Sequence, residues 1–324
     1  MGETVWVSGR SLTHDLYPGR LMALPAGRKL ALPVGFAVVS TVWGSTWLGI
    51  KLSLEYLPPF LSAGVRFVVA SLLLLVIMRW RGLRVTFGRE ALITYFAIGV
   101  LSFSIPFALV YWGEQFIPSS LGSILFGAFP FTVGLCMHFF SEDERMDGFK
   151  IAGTVIGFIG ITVIFAPGLS WTGRDGMLGM AAVILSMVLQ AYALVPIKKH
   201  GAKISPIVMN FVGMSMSAVF LLLLSLIFER GAPATWNAVS VGSVLYLAVV
   251  GSVVAFVTYY WLLKHLEAVY LSLSSFINPI IAVILGAVVL GETLAPTVAV
   301  GTIFVLAGIL ATNGRALLLK IRSA

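Results

Sequence analysis

Apolar residues run through the chain in ten long stretches, each bounded by charges or by Pro and Gly. They lie near 33–54, 59–79, 91–113, 119–140, 149–167, 176–197, 205–228, 239–262, 268–290 and 296–315. About 20 apolar residues in helical form cross the hydrocarbon core of a bilayer. Charges are rare inside the stretches and the connections are short, so no soluble domain fits between them. The pattern predicts an all-α integral membrane protein with ten transmembrane helices. Ahead of the first span, residues 1–32 mix charges, glycines and prolines without the apolar core of a signal peptide. They read as a mostly disordered tail, with Met22 an alternative start, and residues 316–324 form a short second tail.

Composition agrees and narrows the class. Of 324 residues, 59% are apolar and 10% charged, whereas a soluble domain is about one quarter charged. The net charge of +8 would suit nucleic acid if it formed a patch, but it is dispersed among the loops. Seventeen of the 21 basic residues fall on the side of the N-terminus, three (Lys51, Arg174, Arg230) on the other, and Arg66 lies within a span. Basic loops mark the cytoplasmic face, so both termini are expected there and no nucleic-acid partner is expected. With Cys136 the single cysteine, neither an internal disulfide nor a CxxC motif can form. Neither G-x-x-x-x-G-K-[ST] nor H-E-x-x-H occurs, and no metal, cofactor or enzymatic role is expected. Glu142, Asp143, Glu144 and Asp147, next to Arg145 and Lys150, read as a solvated loop.

The two halves repeat each other. Tyr111-Trp112, Pro130, Glu144, Gly153 and Gly160 recur as Tyr260-Trp261, Pro279, Glu292, Gly301 and Gly308, at an offset of 149 up to the prolines and 148 beyond. Lys51 and Pro59 recur as Lys198 and Pro206 at an offset of 147. Five spans per half is an odd number, so the second half must enter the membrane from the opposite face. Inverted repeats are the usual architecture of secondary transporters, although duplication also produces channels and scaffolds.

Particular motifs carry a family resemblance. Trp43-Gly44-Ser45-Thr46-Trp47, Gly64-Val65-Arg66-Phe67, and Gly291-Glu292 followed by Gly301 and Gly308 resemble the drug/metabolite transporter superfamily, and more narrowly its EamA branch. The resemblance implies two five-helix repeats, here 33–167 and 176–315, in a multi-pass permease of the bacterial inner membrane. It further implies alternating access, the halves rocking about a cavity between spans 1, 3, 4, 6, 8 and 9. Amino acids or similar small metabolites, moving outward, are the substrate class it implies. Lipophilic drugs are the alternative, and a channel is a third reading.

Span midpoints fall near Trp43, Ser102, Phe129, Gln190, Gly251 and Asn278. Pro130 and Pro279, equivalent in the repeat, each free a helix carbonyl near mid-depth, and paired breaks of this kind point to a transporter's binding site. Trp43 and Trp47 lie one turn apart and share a face, where two indoles suit an aromatic or cationic solute or simply pack helices. Phe107, Tyr111 and Tyr259 extend the aromatic surface. Gln190, Asn278 and Ser104 either hydrogen-bond one another or orient a zwitterion. Arg66 is a functional candidate by its depth alone, and pairing with Glu114 or Glu55 as a gate or structural bridge is the expected role. No Asp or Glu lies deep in a span, so proton coupling is not expected. Gly153-x-x-x-Gly157, with Gly301 and Gly308, reads as close helix packing and as a candidate homodimer contact.

Overall fold

The computed structural model describes residues 26–117, 119–141, 146–165, 173–278, 280–281 and 296–312, and all regular structure there is helical. Six helices are long and apolar enough to cross a membrane, with four shorter apolar ones besides. In chain order, and with the eight-residue Ser119–Phe126 counted as well, they are α1 (Ala26–Leu54), α2 (Pro59–Trp80), α3 (Arg89–Gly113), α4 (Ser119–Phe126), α5 (Phe129–Phe140), α6 (Gly148–Phe165), α7 (Gly173–His200), α8 (Pro206–Phe228), α9 (Ala238–Leu263), α10 (Ala268–Asn278) and α11 (Pro296–Thr312).

Local sequence explains where these helices start and stop. Pro59 and Pro206, equivalent in the repeat, each occupy the first turn of a helix, where a missing N–H costs nothing. Glu229, just past α8, supplies the cap that α2 lacks: its two carboxylate oxygens accept from Phe60 N and Leu61 N at 2.7 and 2.9 Å. Asn237 and Ser240 close a reciprocal capping box on α9. Gly82 follows α2 at φ +63°, a left-handed conformation that glycine adopts without strain. The expected first span began at residue 33, but α1 already runs from Ala26, with Pro33 inside it. Residues 26–32 are therefore helix and not tail.

Equivalent helices of the two halves pack on each other: α2 on α8 and α6 on α11. Along the second pair, Gly153 faces Gly308 and Gly160 faces Gly301, so the two helices run antiparallel and the halves point opposite ways. Lipid tails are as apolar as leucine, so close backbone approach, and not apolar burial, holds such helices together. The small faces expected to scaffold or to dimerise are thus consumed within the chain. Large apolar side chains such as Val76, Leu223, Leu226, Ile303 and Leu310 are exposed on the outside, the arrangement a bilayer requires.

Candidate functional site: a central cavity

Two spans widen into π-helix at equivalent places, Ala97–Ser104 in α3 and Val249–Val254 in α9. In α3 the cause is Pro106, whose ring cannot follow a regular turn and removes one backbone donor. In α9 there is no proline. Ser252 Oγ instead donates to Leu247 O, five residues back, at 2.9 Å. Widened turns of this kind gather at functional sites; here the α3 segment presents Ser102 to one cavity, and the α9 segment holds Arg66, which lines it. The span 119–140 is also broken, α4 ending at Phe126 and α5 starting at Phe129 with Pro130 in its first turn. Pro279 lies outside the described residues.

The cavity has an empty volume of about 810 Å³ including its mouth. Its walls hold seven of the expected substrate residues: Trp43, Trp47, Phe107, Phe129, Gln190, Tyr259 and Asn278. Trp43 packs against Phe256 and Tyr259, with ring centres 5.0 and 4.9 Å apart, and Trp47 meets Phe126 edge-on at 5.6 Å. Asn278 donates its amide nitrogen to the carbonyls of Ser40 and Ser274 at 3.0 and 3.1 Å, in the orientation that satisfies both ends of the amide. Polar atoms also come from Thr46, Ser102, Ser274 and Ser275. Tyr260, the repeat partner of Tyr111, donates to Ser102 Oγ at 3.3 Å.

Two expected residues lie elsewhere. Ser104 is buried at the end of the π segment and does not line the cavity. The polar group that faces the cavity from that segment is Ser102, and of the two alternatives for Gln190, Asn278 and Ser104, hydrogen bonds among the three are not formed among the described residues. Tyr111 sits behind the wall, fully buried, and accepts from Arg66 Nη1 at 3.2 Å.

Arg66 departs most from expectation. It lines the cavity although only 2% exposed. Nε donates to Ser252 Oγ at 2.9 Å and Nη2 to Gly251 O at 3.4 Å, both on the π segment of α9. The rings of Phe67 and Phe107 lie 5.5 and 5.0 Å from its guanidinium carbon. The expected pairing with Glu114 or Glu55 is not made: the ion pair among the described residues is Lys150–Glu267. Glu114, in the turn after α3, is fully buried, and neither carboxylate oxygen has a hydrogen-bond partner among the described residues. Burial pushes its carboxyl well above the usual carboxylate range, against the opposing pull of Lys51 and Arg66.

Lysines hold turns at both ends of the bundle. Lys51 donates to Glu114 O and Ile117 O at 3.0 and 3.4 Å. Its repeat partner Lys198 donates to Leu266 O at 2.5 Å, and Leu266 is the equivalent of Ile117. At this second end, which carries most of the basic residues, two more lysines hold the same turn. Lys150 pairs with Glu267 at 2.5 Å, their side chains 7% and 14% exposed. Lys264 donates to Ala202 O and Ile204 O at 2.8 and 2.5 Å.

Several wall residues escaped sequence reasoning. Ser274 and Ser275 carry no signal beyond ordinary helix serines, and Tyr260 was legible only as the repeat partner of Tyr111. Tyr192, an aromatic near mid-span, turns outward and packs edge-on against Phe140.

The EamA-like transporter family profile matches the chain twice, over residues 32–166 and 177–314. The uncharacterized transporter YoaV of Bacillus subtilis is 27% identical over 85% of this chain and 94% of its own length. The uncharacterized inner membrane transporter YedA of Escherichia coli K12 is 29% identical, over 85% and 88%. A solved crystal structure covering 90% of this chain and 99% of its own superposes with a TM-score of 0.74 at 18% identity, and so shares the fold.

Proposed function

Since the chain belongs to the EamA-like transporter family, a family of multi-pass membrane transporters, we propose that it is an alternating-access carrier. Ten membrane crossings, in two inverted repeats of five, surround the central cavity. The end carrying Lys150, Lys198 and Lys264 faces the cytoplasm, as the bias of basic residues requires. Both termini lie on that side. The carrier moves amino acids or similar small metabolites outward across the bacterial inner membrane.

A single observation supports this reading: equivalent elements of both halves converge on one cavity. Phe107 and Phe256 occupy its wall from repeat-equivalent positions; Ser102 also lines it, and the carbonyl of its equivalent, Gly251, holds the lining residue Arg66. A site built by both halves can be exposed to either side as the halves rock. A channel needs no site shared by two inverted halves, whereas a carrier does. The lining also suits lipophilic aromatic compounds, and this second reading rests on the rings of Trp43, Phe256 and Tyr259.

Uptake of a labelled amino-acid panel into proteoliposomes tests the proposal. At least one member is expected to enter with saturable kinetics. Trp43→Ala removes the ring that packs on both Phe256 and Tyr259 and is expected to lower that uptake about tenfold or more. The amount of folded protein, read by size-exclusion chromatography in detergent, is expected to stay near that of the parent. Equal loss of folded protein and uptake would make Trp43 a packing residue. No uptake of any amino acid by vesicles holding folded protein would favour the lipophilic compounds.

A further inference from the structure

Among the described residues that line the cavity there is one full charge, and it is positive. A buried cation without a contacting carboxylate is costly in an apolar surrounding, so its placement calls for a function. Arg66 spends three of its five N–H groups on neutral protein oxygens, those of Ser252, Tyr111 and Gly251. One N–H remains on each terminal nitrogen. Glu114 lies near enough to be felt electrostatically, but its carboxyl oxygens bond neither Arg66 nor any other described group, and burial favours the protonated, neutral form. A carboxylate is the group that takes two guanidinium N–H together.

We propose that Arg66 is the carboxylate anchor of the site, and that the substrates are carboxylates with an apolar or aromatic body. This rests on the reading of the cavity as a carrier's binding site. Phe107, 5.0 Å from the guanidinium carbon, is placed to contact the body next to the carboxylate, and Trp43 extends the aromatic wall. The cavity offers no carboxylate to a substrate ammonium among its described lining residues. An α-amino group is therefore tolerated by neutral oxygens and rings but not required. Amino acids bind as one subset of carboxylates, and amines without a carboxylate are rejected. The rigid hold of Ser252 and Gly251 on the guanidinium fixes its plane, which a lysine at the same place could not reproduce.

Four probes of similar size separate the possibilities: 3-phenylpropionate, 3-phenylpropanamide, phenethylamine and L-phenylalanine. Binding to the purified full-length protein is read by tryptophan fluorescence and by thermal shift. The two carboxylates are expected to bind at least about tenfold more tightly than the amide and the amine. In Arg66→Gln the preference for 3-phenylpropionate over its amide is expected to vanish, the acid losing more affinity than the amide, while a cooperative thermal unfolding transition reports folded protein. Should that variant fail to fold, Arg66→Lys is expected to keep only part of the preference. Equal binding of acid and amide by the parent, preference for the amine, survival of the preference in both variants, or binding of none of the four would each overturn the anchor. Failure of the carrier reading looks different: carboxylates bind with the stated preference, yet no saturable uptake of any probe occurs in vesicles.

Discussion

Reversing the charge at Glu267 (Glu267→Lys) is expected to unlock the basic end of the bundle. The Lys150–Glu267 pair joins the start of α6 to the turn before α10, with side chains only 7% and 14% exposed. Removing one partner from a fully buried pair costs about 3–5 kcal/mol. This pair keeps some solvent, so about 2 kcal/mol is a fitting estimate, which shifts a two-state equilibrium about thirtyfold. The opposite end has no such pair among the described residues, since Glu267 has Pro118 as its equivalent. The loss therefore acts on one face only. A cysteine at Gln190 on the cavity wall, with Cys136→Ser as background, reports access. Impermeant thiol reagents are expected to label it about thirtyfold faster from the basic side in Glu267→Lys. The double reversal Lys150→Glu with Glu267→Lys is expected to return labelling toward the parent rate. Unchanged labelling in the single variant would remove the pair from any gating role.

A larger effect on folding is expected where α6 crosses α11. A β-carbon built on Gly308 comes within 2.5 Å of Gly153 O and Gly157 N, and within 2.7 Å of Gly157 Cα. These are backbone atoms, so no rotamer change can relieve the overlap and the helices must part. Overpacking ordinarily costs about 1–3 kcal/mol, and Gly308→Val should exceed that range because it separates the interface itself. Stability of the order of 5–15 kcal/mol leaves little after such a loss. Gly308→Val is expected to yield little monodisperse protein in detergent, with its unfolding temperature lowered by about 10 °C or more. Gly242→Ala is the matched control: a β-carbon there meets nothing within 4 Å, and its yield should equal the parent's. Normal folding of Gly308→Val would show that α6 and α11 are not pressed together in the membrane.

Much of the architecture was legible because it follows from periodicity and repetition. Pro59 and Pro206 mark helix starts by a rule of covalent geometry, and the break before Pro130 follows from the same rule. The aromatic wall was legible in part, since Trp43 and Trp47 share a face whatever surrounds them. Arg66 shows where such reading stops. Its nearest acids in sequence terms, Glu55 and Glu114, looked like natural partners, but its hydrogen bonds go to Ser252 and Gly251, more than 180 residues away. Those two groups lie in the widened segment Val249–Val254 of α9, and no proline announces that widening. Ser104 was taken for a wall residue in place of Ser102 for a related reason. Ser104 ends a π segment, whose altered register cannot be counted from the sequence at 3.6 residues per turn.

Counterflow tests the central claim most directly. Proteoliposomes preloaded with an unlabelled transported solute are diluted into a trace of the same solute carrying label. A carrier whose single site alternates between faces is predicted to exchange, so label enters faster than into empty vesicles and rises transiently above its equilibrium level. Entry that grows linearly with concentration and ignores internal solute would contradict alternating access and make the cavity a conducting path.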